Sequence, residues 1–261
     1  MDFEAGKMTW EVLQEKAQDI GVALIPAGTT ERHGHHLPME TDAATAYGVA
    51  CRVGARTGAV VFPNLNYGAV EHPAFRGVFL SNTTYSSLLR EVCLGVESLG
   101  FQKILFISGH GPNNAPILHV LKELYGERPK ERLFGMVHCL TLLNQLMPDF
   151  IQDRPIGHGD FRETSIMLAI AESNVQMDKA SDPGKIKGSI KGKLESAGVH
   201  LIGSGEGKMN ICHANEDLEK HGAYGQVSGS SKEEGEKILE TLADFISGVV
   251  EELRKIDLPL T

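Results

Sequence analysis

Short apolar runs alternate with amphipathic stretches along this chain. VALIPAG (22–28), AVVFPNLNYG (59–68), KILFISGHG (103–111) and LFGMVHCL (133–140) each read as a buried strand. Their near-continuous apolar character is that of strands covered on both faces. Between them, residues 42–56, 83–99 and 113–125 carry a helical period. In SLLREVCLGVESLG, residues Leu88, Leu89, Val92, Cys93, Val96 and Leu99 share one face, and Gly100 closes the helix. Strands alternating with such helices predict an α/β fold with a parallel sheet covered on both sides. At the C-terminal end, SSKEEGEKILETLADFISGVVEELRKI predicts a further helix. Ser231 caps it with Glu234 as its capping-box partner, and Ile238, Leu239, Leu242, Phe245, Ile246, Val249 and Val250 form its buried stripe. Residues 180–198, rich in Gly, Lys and Ser, read as an exposed excursion from the core.

Composition narrows the class. The 261 residues suit one domain, 1–261, with a sizeable core, and no repeat of 20–50 residues divides them. A net charge of −9 without a basic run argues against a nucleic-acid partner. No run of eighteen apolar residues predicts a membrane span. MDFEAGKMTWEV has neither the basic start nor the apolar stretch of a secretory signal. Cys51, Cys93, Cys139 and Cys212 are scattered, which fits buried thiols and a cytoplasmic setting better than a disulfide framework.

The candidate chemistry lies in three polar clusters. TTERHGHHLPMETDA (29–43) follows the first strand, SGHGPNN (108–114) follows the third, and GHGDFRETS (157–165) precedes the apolar helix SIMLAIAES. Ligands in open parallel sheets gather at the carboxyl ends of strands. Glu31 and His33, two apart in an extended segment, share a face. Asp42 stands at a helix start, where it is also a plausible cap. His110 lies on a glycine-flanked turn, and Glu163 opens a helix. Imidazole with carboxylate favours zinc, manganese or iron. Three carboxylates (Glu31, Asp42, Glu163) and a hydroxide would balance two divalent ions, which suits a two-metal hydrolytic site, although nothing in the sequence excludes a single ion. His119, His138, His200, His213 and His221 stand isolated and read as structural or solvent-exposed.

Taken in order, these segments resemble the creatininase (creatinine amidohydrolase) family. GTTERHGHHLPMETDAATA resembles its Glu-x-His-Gly, His-Leu-Pro, Thr-Asp signature, and FISGHGPNN its strand-GHGxN element. NYGAVEHPAFRGVFLS (66–81), HGDFRETS and HGAYGQVSGSSKEEGEK resemble its three remaining elements. The resemblance implies a three-layer α/β/α sandwich with a mostly parallel sheet, a homo-hexamer, and two divalent metal ions per subunit, zinc and/or manganese or iron. It carries Glu31, His33, Asp42 and His110 over as metal ligands, with Asp42 as the bridge. Pro112 stands where creatininase has another glutamate, and Glu163 is the expected substitute. His158 matches the proton-shuttling histidine, and with Glu163 it makes the expected catalytic pair. Glu71, His72, Ser81 and Asn113 are expected to line the pocket or contact substrate, and Asp160 or Glu71 to orient the ligand histidines. His36 reads as structural. Creatininase closes its site with tryptophans. Here the single Trp10 fits packing in an N-terminal helix, so creatinine is not the expected substrate.

The activity implied is metal-assisted hydrolysis of a C–N bond in a small cyclic amide or formamide. Two alternatives stand beside it: ring opening of a cyclic ketone or inosose-type sugar derivative, and a catalytically silent metal-binding protein. The partner expected is a small molecule.

Overall fold

The computed structural model describes residues 3–69, 75–183, 194–197, 200–203 and 220–260. Four parallel strands form the central sheet: β1 (Val22–Ala27), β3 (Val60–Val61), β5 (Lys103–Ser108) and β6 (Leu133–His138), in the order β3-β1-β5-β6. Alternation along the strands builds the layers. Val22 and Leu24 of β1, with Leu105 and Ile107 of β5, face α2 (Thr41–Thr57), α5 (Cys139–Leu146), α7 (Phe161–Ala171) and the C-terminal helix α8 (Lys232–Arg254). Ala23, Ile25 and Ala27, with Ile104 and Phe106, face the other way. There they meet α1 (Trp10–Asp19), α3 (Asn82–Ser98) and α4 (Asn114–Glu127). Two cores on opposite faces of one sheet make the expected three-layer α/β/α sandwich. The one-turn helix α6 (Pro148–Ile151) follows α5. Strand β7 (Leu194–Ala197), inside the predicted excursion, pairs antiparallel with β8 (His200–Gly203) just beyond it. No helix among the described residues is long and apolar enough to cross a membrane.

Several details differ from the sequence reading. AVVFPNLNYG keeps only Val60–Val61 as strand, because Pro63 has no N–H to continue the ladder. It still runs beside β1, through Phe62 N–H to Leu24 O and Leu65 N–H to Pro26 O. Strand β6 is the half-exposed sheet edge rather than a buried strand. Phe245 is 47% exposed on the flank of α8, and Ala243 takes the buried place. The capping box is half made. Ser231 Oγ accepts from Glu234 N, but the Glu234 carboxylate pairs with Arg154, and Ser231 N–H donates to Ser165 Oγ. Trp10 opens α1 on the surface, 53% exposed, and does not pack inward. Cys93 and Cys139 are buried free thiols, and Cys51 is half-buried.

Two glycines set where the site can form. Gly28 ends β1 and Gly109 ends β5, and a Cβ on either would collide with the backbone of Asp42 or Ala43. The first turn of α2 therefore wedges between the two strand ends and delivers Asp42 to the carboxyl edge of the sheet. Gly109→Ala is expected to lower stability by about 1–3 kcal/mol through overpacking. Gly95→Ala, in α3 with nothing within 4 Å of the added Cβ, should instead be neutral or stabilise by about 0.5–1 kcal/mol. Urea unfolding of both variants checks the contrast, and equal effects would contradict it.

Candidate metal centre

Five buried ligand-type side chains converge from four segments. Glu31 sits on the two-residue strand β2 (Thr30–Glu31), which pairs antiparallel with β4 (Gly77–Val78). Its backbone N–H also donates to Met39 O. His33 follows on the same loop. Asp42 and Glu163 lie in the first turns of α2 and α7, where the positive ends of the helix dipoles favour carboxylates. His110 enters from the turn after β5, which continues through the short 3₁₀ segment Gly111–Asn113. All five are at most 4% exposed.

Their ligand atoms, joined by those of buried His158, fall into overlapping sets, each within 4.8 Å: Glu31, Asp42 and His110; His33, Asp42 and Glu163; and Glu31, His33 and His158. Asp42 joins the first two. Its Oδ1 lies 3.0 Å from His33 Nε2 and its Oδ2 2.9 Å from His110 Nδ1. His110 Nδ1 is also 3.3 Å from Glu31 Oε1, and His33 Nε2 is 3.7 Å from Glu163 Oε1. The second Glu163 oxygen is held by Gly159 N–H at 2.6 Å, so Oε1 is the one aimed at the cluster.

The backbone fixes which nitrogen of each ring is protonated. His33 Nδ1 donates to Glu31 O (3.1 Å), His110 Nε2 to Ala69 O (2.9 Å) and His158 Nε2 to Arg32 O (2.8 Å). A carbonyl only accepts, so each of these nitrogens carries the hydrogen. In a neutral ring the other nitrogen then turns a lone pair toward carboxylates. Both Glu31 oxygens and Asp42 Oδ2 are buried without a hydrogen-bond donor, the His110–Asp42 approach being close but misaligned. Lone pairs facing lone pairs in a dry site call for cations between them. The donor set, imidazole nitrogen with carboxylate oxygen, suits borderline to hard divalent metals.

Metal-free, protons take that place. Burial disfavours the His33 imidazolium, but Asp42 and Glu163 outweigh it and hold the ring well above the usual histidine range. Burial likewise opposes charge on His110, and the adjacent Asp42 and Glu31 carboxylates overcome it. Burial resists ionisation of Asp42 and Glu163, yet His33 and its neighbours hold both carboxyls below their ordinary values.

A family model described as creatininase, creatinine amidohydrolase, matches residues 6–250. The chain belongs to the creatininase family. It is 27% identical over 195 residues to a creatinine amidohydrolase of Pseudomonas putida, covering 68% of this chain and 75% of that one. It is 34% identical over 167 residues to a mycofactocin precursor peptide peptidase of Mycolicibacterium smegmatis, covering 61% and 62%. A 3-dehydro-scyllo-inosose hydrolase of Thermotoga maritima is 23% identical over 261 residues, covering 94% and 82%. Among solved structures, a mutant creatininase complexed with creatine superposes with a TM-score of 0.79 at 20% identity, covering 97% and 99%. A Zn–Zn form of a creatininase mutant gives 0.77 at 22%, covering 97% and 98%. At these identities the structures speak to the fold. As a member of the creatininase family the chain is an amidohydrolase, a metal-dependent hydrolase of C–N bonds.

The other residues expected at this creatininase-type site fall out as follows. His158 is 8% exposed and stacked between His33 and Phe75, with ring centroids 4.1 Å from each. Its Nδ1 is 3.8 Å from Glu31 Oε1. Asn113 is buried and turned to the backbone: Nδ2 donates to Gly28 O and Oδ1 accepts from Ala69 N. That holds Ala69, whose carbonyl orients His110, so its geometry is that of a brace rather than a substrate contact. Ser81 is exposed and caps α3 through Thr84 N. Glu71 and His72 lie outside the described residues. Asp160 does not orient the ligand histidines, because carbonyls do so. It caps α7 through Arg162 N–H and pairs with the Arg162 guanidinium. His36, expected to be structural, bonds Thr164 Oγ1 at 2.9 Å and ties the first loop to α7. Burial pushes its pKa down to about 4. His138, which had seemed isolated, stands at the carboxyl end of β6 in register with Ser108. That strand-end position was the signal available for it in LFGMVHCL.

The raised imidazole pKa values make a pH prediction. Groups raised in the folded state stabilise it fully below the unfolded histidine value near 6.5, and that stability is lost as pH rises through the folded values. Metal-free protein should therefore melt lower as pH climbs above about 6.5. Added zinc or manganese should restore stability most at high pH, with proton release on binding. Calorimetry in buffers of different ionisation enthalpy measures that release, and binding without it would contradict the assignment.

Proposed function

We propose that this chain hydrolyses a C–N bond in a small cyclic amide or formamide, using two divalent ions with Asp42 between them. Glu31 and His110 would hold one ion, and His33 and Glu163 the other. The observation that carries this is the sharing of Asp42, one oxygen toward each ligand set. When bound, such ions lower the pKa of water and polarise a carbonyl. The chain's own residues supply the rest. Buried walls exclude bulk water, and the Arg32 carbonyl fixes the His158 ring so that Nδ1 faces the cluster. His158 Nδ1 would take the proton that the attacking water gives up and pass it to the leaving nitrogen. The candidate metals are zinc, manganese and iron, and the chain works as a homo-oligomer in the cytoplasm.

Ring opening of an inosose-type substrate is the second reading, favoured by the relative of that name that aligns along 94% of the chain. Metal analysis of protein purified without chelators, followed by a screen of cyclic amides, lactams, formamides and inososes, separates the two. Glu31→Ala and His110→Ala should lose metal and activity together. His158→Ala should retain metal while turnover drops by about 100-fold or more, the scale of general acid–base catalysis. Loss of metal in that variant would make His158 a ligand instead, and an unmutated protein without metal would overturn the hydrolase reading.

A further inference from the structure

One histidine near this centre has no part in the chemistry above. His138 ends β6 and leads into α5, beside the turn that carries His110. A Cβ on Gly111 would meet its Cε1 at 3.9 Å, which places that edge of the ring against the turn. The adjacent Nδ1 is bonded to Thr141 Oγ1 at 2.7 Å. Nε2 has no hydrogen-bond partner among the described residues. The charges of Asp42, Glu163 and His110 all act on the ring. Burial holds its pKa down to about 4. His138 pairs in register with Ser108 of β5, so the partly exposed ring stands at the carboxyl edge of the sheet where the ligand sets gather.

We propose that His138 is a substrate-binding residue whose Nε2 hydrogen-bonds an uncharged polar group of the substrate, such as an amide. The Thr141 hydroxyl rotates and can either donate to Nδ1 or accept from it. Nε2 can therefore donate to a carbonyl or accept from an N–H, the two polar groups of an amide. This rests on the amide chemistry proposed above, and the tests below can fail independently of it.

Metal-loaded wild type, His138→Ala, His138→Gln and Thr141→Val would be compared on cyclic amides and formamides, with carboxylate-bearing analogues as a second set. All four should hold the same metal content. His138→Ala should raise KM for neutral substrates by about 10- to 100-fold, the value of one hydrogen bond in a desolvated site, with kcat within a few-fold. His138→Gln, a neutral hydrogen-bonding side chain, should recover most of the loss. Thr141→Val should raise KM several-fold by freeing the ring. An unchanged KM in His138→Ala, no recovery in His138→Gln, or a fall in metal content would each overturn the proposal. Should wild type turn over no compound in the panel, the hydrolase reading fails, and a second measurement still decides this one. Diethyl pyrocarbonate should modify His138 in the folded protein, mapped by mass spectrometry, and neutral amides should protect it more than their carboxylate analogues. An unreactive His138, or no protection, would contradict the proposal.

Discussion

Three backbone carbonyls govern the chemistry of this site. Those of Glu31, Ala69 and Arg32 each accept one N–H from His33, His110 and His158. Every ring is thereby left with its lone-pair nitrogen toward buried carboxylates. Water cannot relieve the conflict, because the ligand side chains are almost fully enclosed. Only protons or cations can, and the two compete for the same nitrogens. The raised pKa values of His33 and His110 and the donor-less oxygens of Glu31 and Asp42 are thus two views of one arrangement.

The fold makes that arrangement possible by bringing strand ends and helix starts to one place. Strand β1 leads to Glu31 and His33, and β5 leads to His110. The first turns of α2 and α7 bring Asp42 and Glu163. The missing Cβ atoms at Gly28 and Gly109 let α2 approach closely enough for Asp42 to reach both ligand sets. Asn113 locks the end of β1 to Ala69, and Ala69 in turn holds His110. His36 and Thr164 tie the first loop to α7. A centre assembled from four segments depends on such cross-ties, since no single segment carries more than two of its ligands.

Much of this was legible in the sequence. The β/α alternation gave the sandwich, because strands covered on both faces lack polar alternation. The positions of Glu31, His33, Asp42, His110 and Glu163 after strands and at helix starts pointed to one edge of the sheet. Less legible were features that depend on contacts between distant residues. The residues orienting the histidines could not be read, because any backbone carbonyl can accept and the chain carries no mark of which one does. Its turn beside His110 makes Asn113 read as a substrate contact, while its bonds run to Gly28 and Ala69. Phe245 fits a helical stripe by period, yet its exposure depends on how α8 is rotated against the sheet. His138 looked isolated because its neighbours come from other strand ends.

The proposed chemistry requires Asp42 to stand between two cations. Anomalous diffraction at the zinc edge, from crystals of the protein grown with zinc, tests this most directly. Two peaks are predicted, one among Glu31, His110 and Asp42 and the other among His33, Glu163 and Asp42. A single peak, or a second peak that Asp42 does not touch, would contradict it.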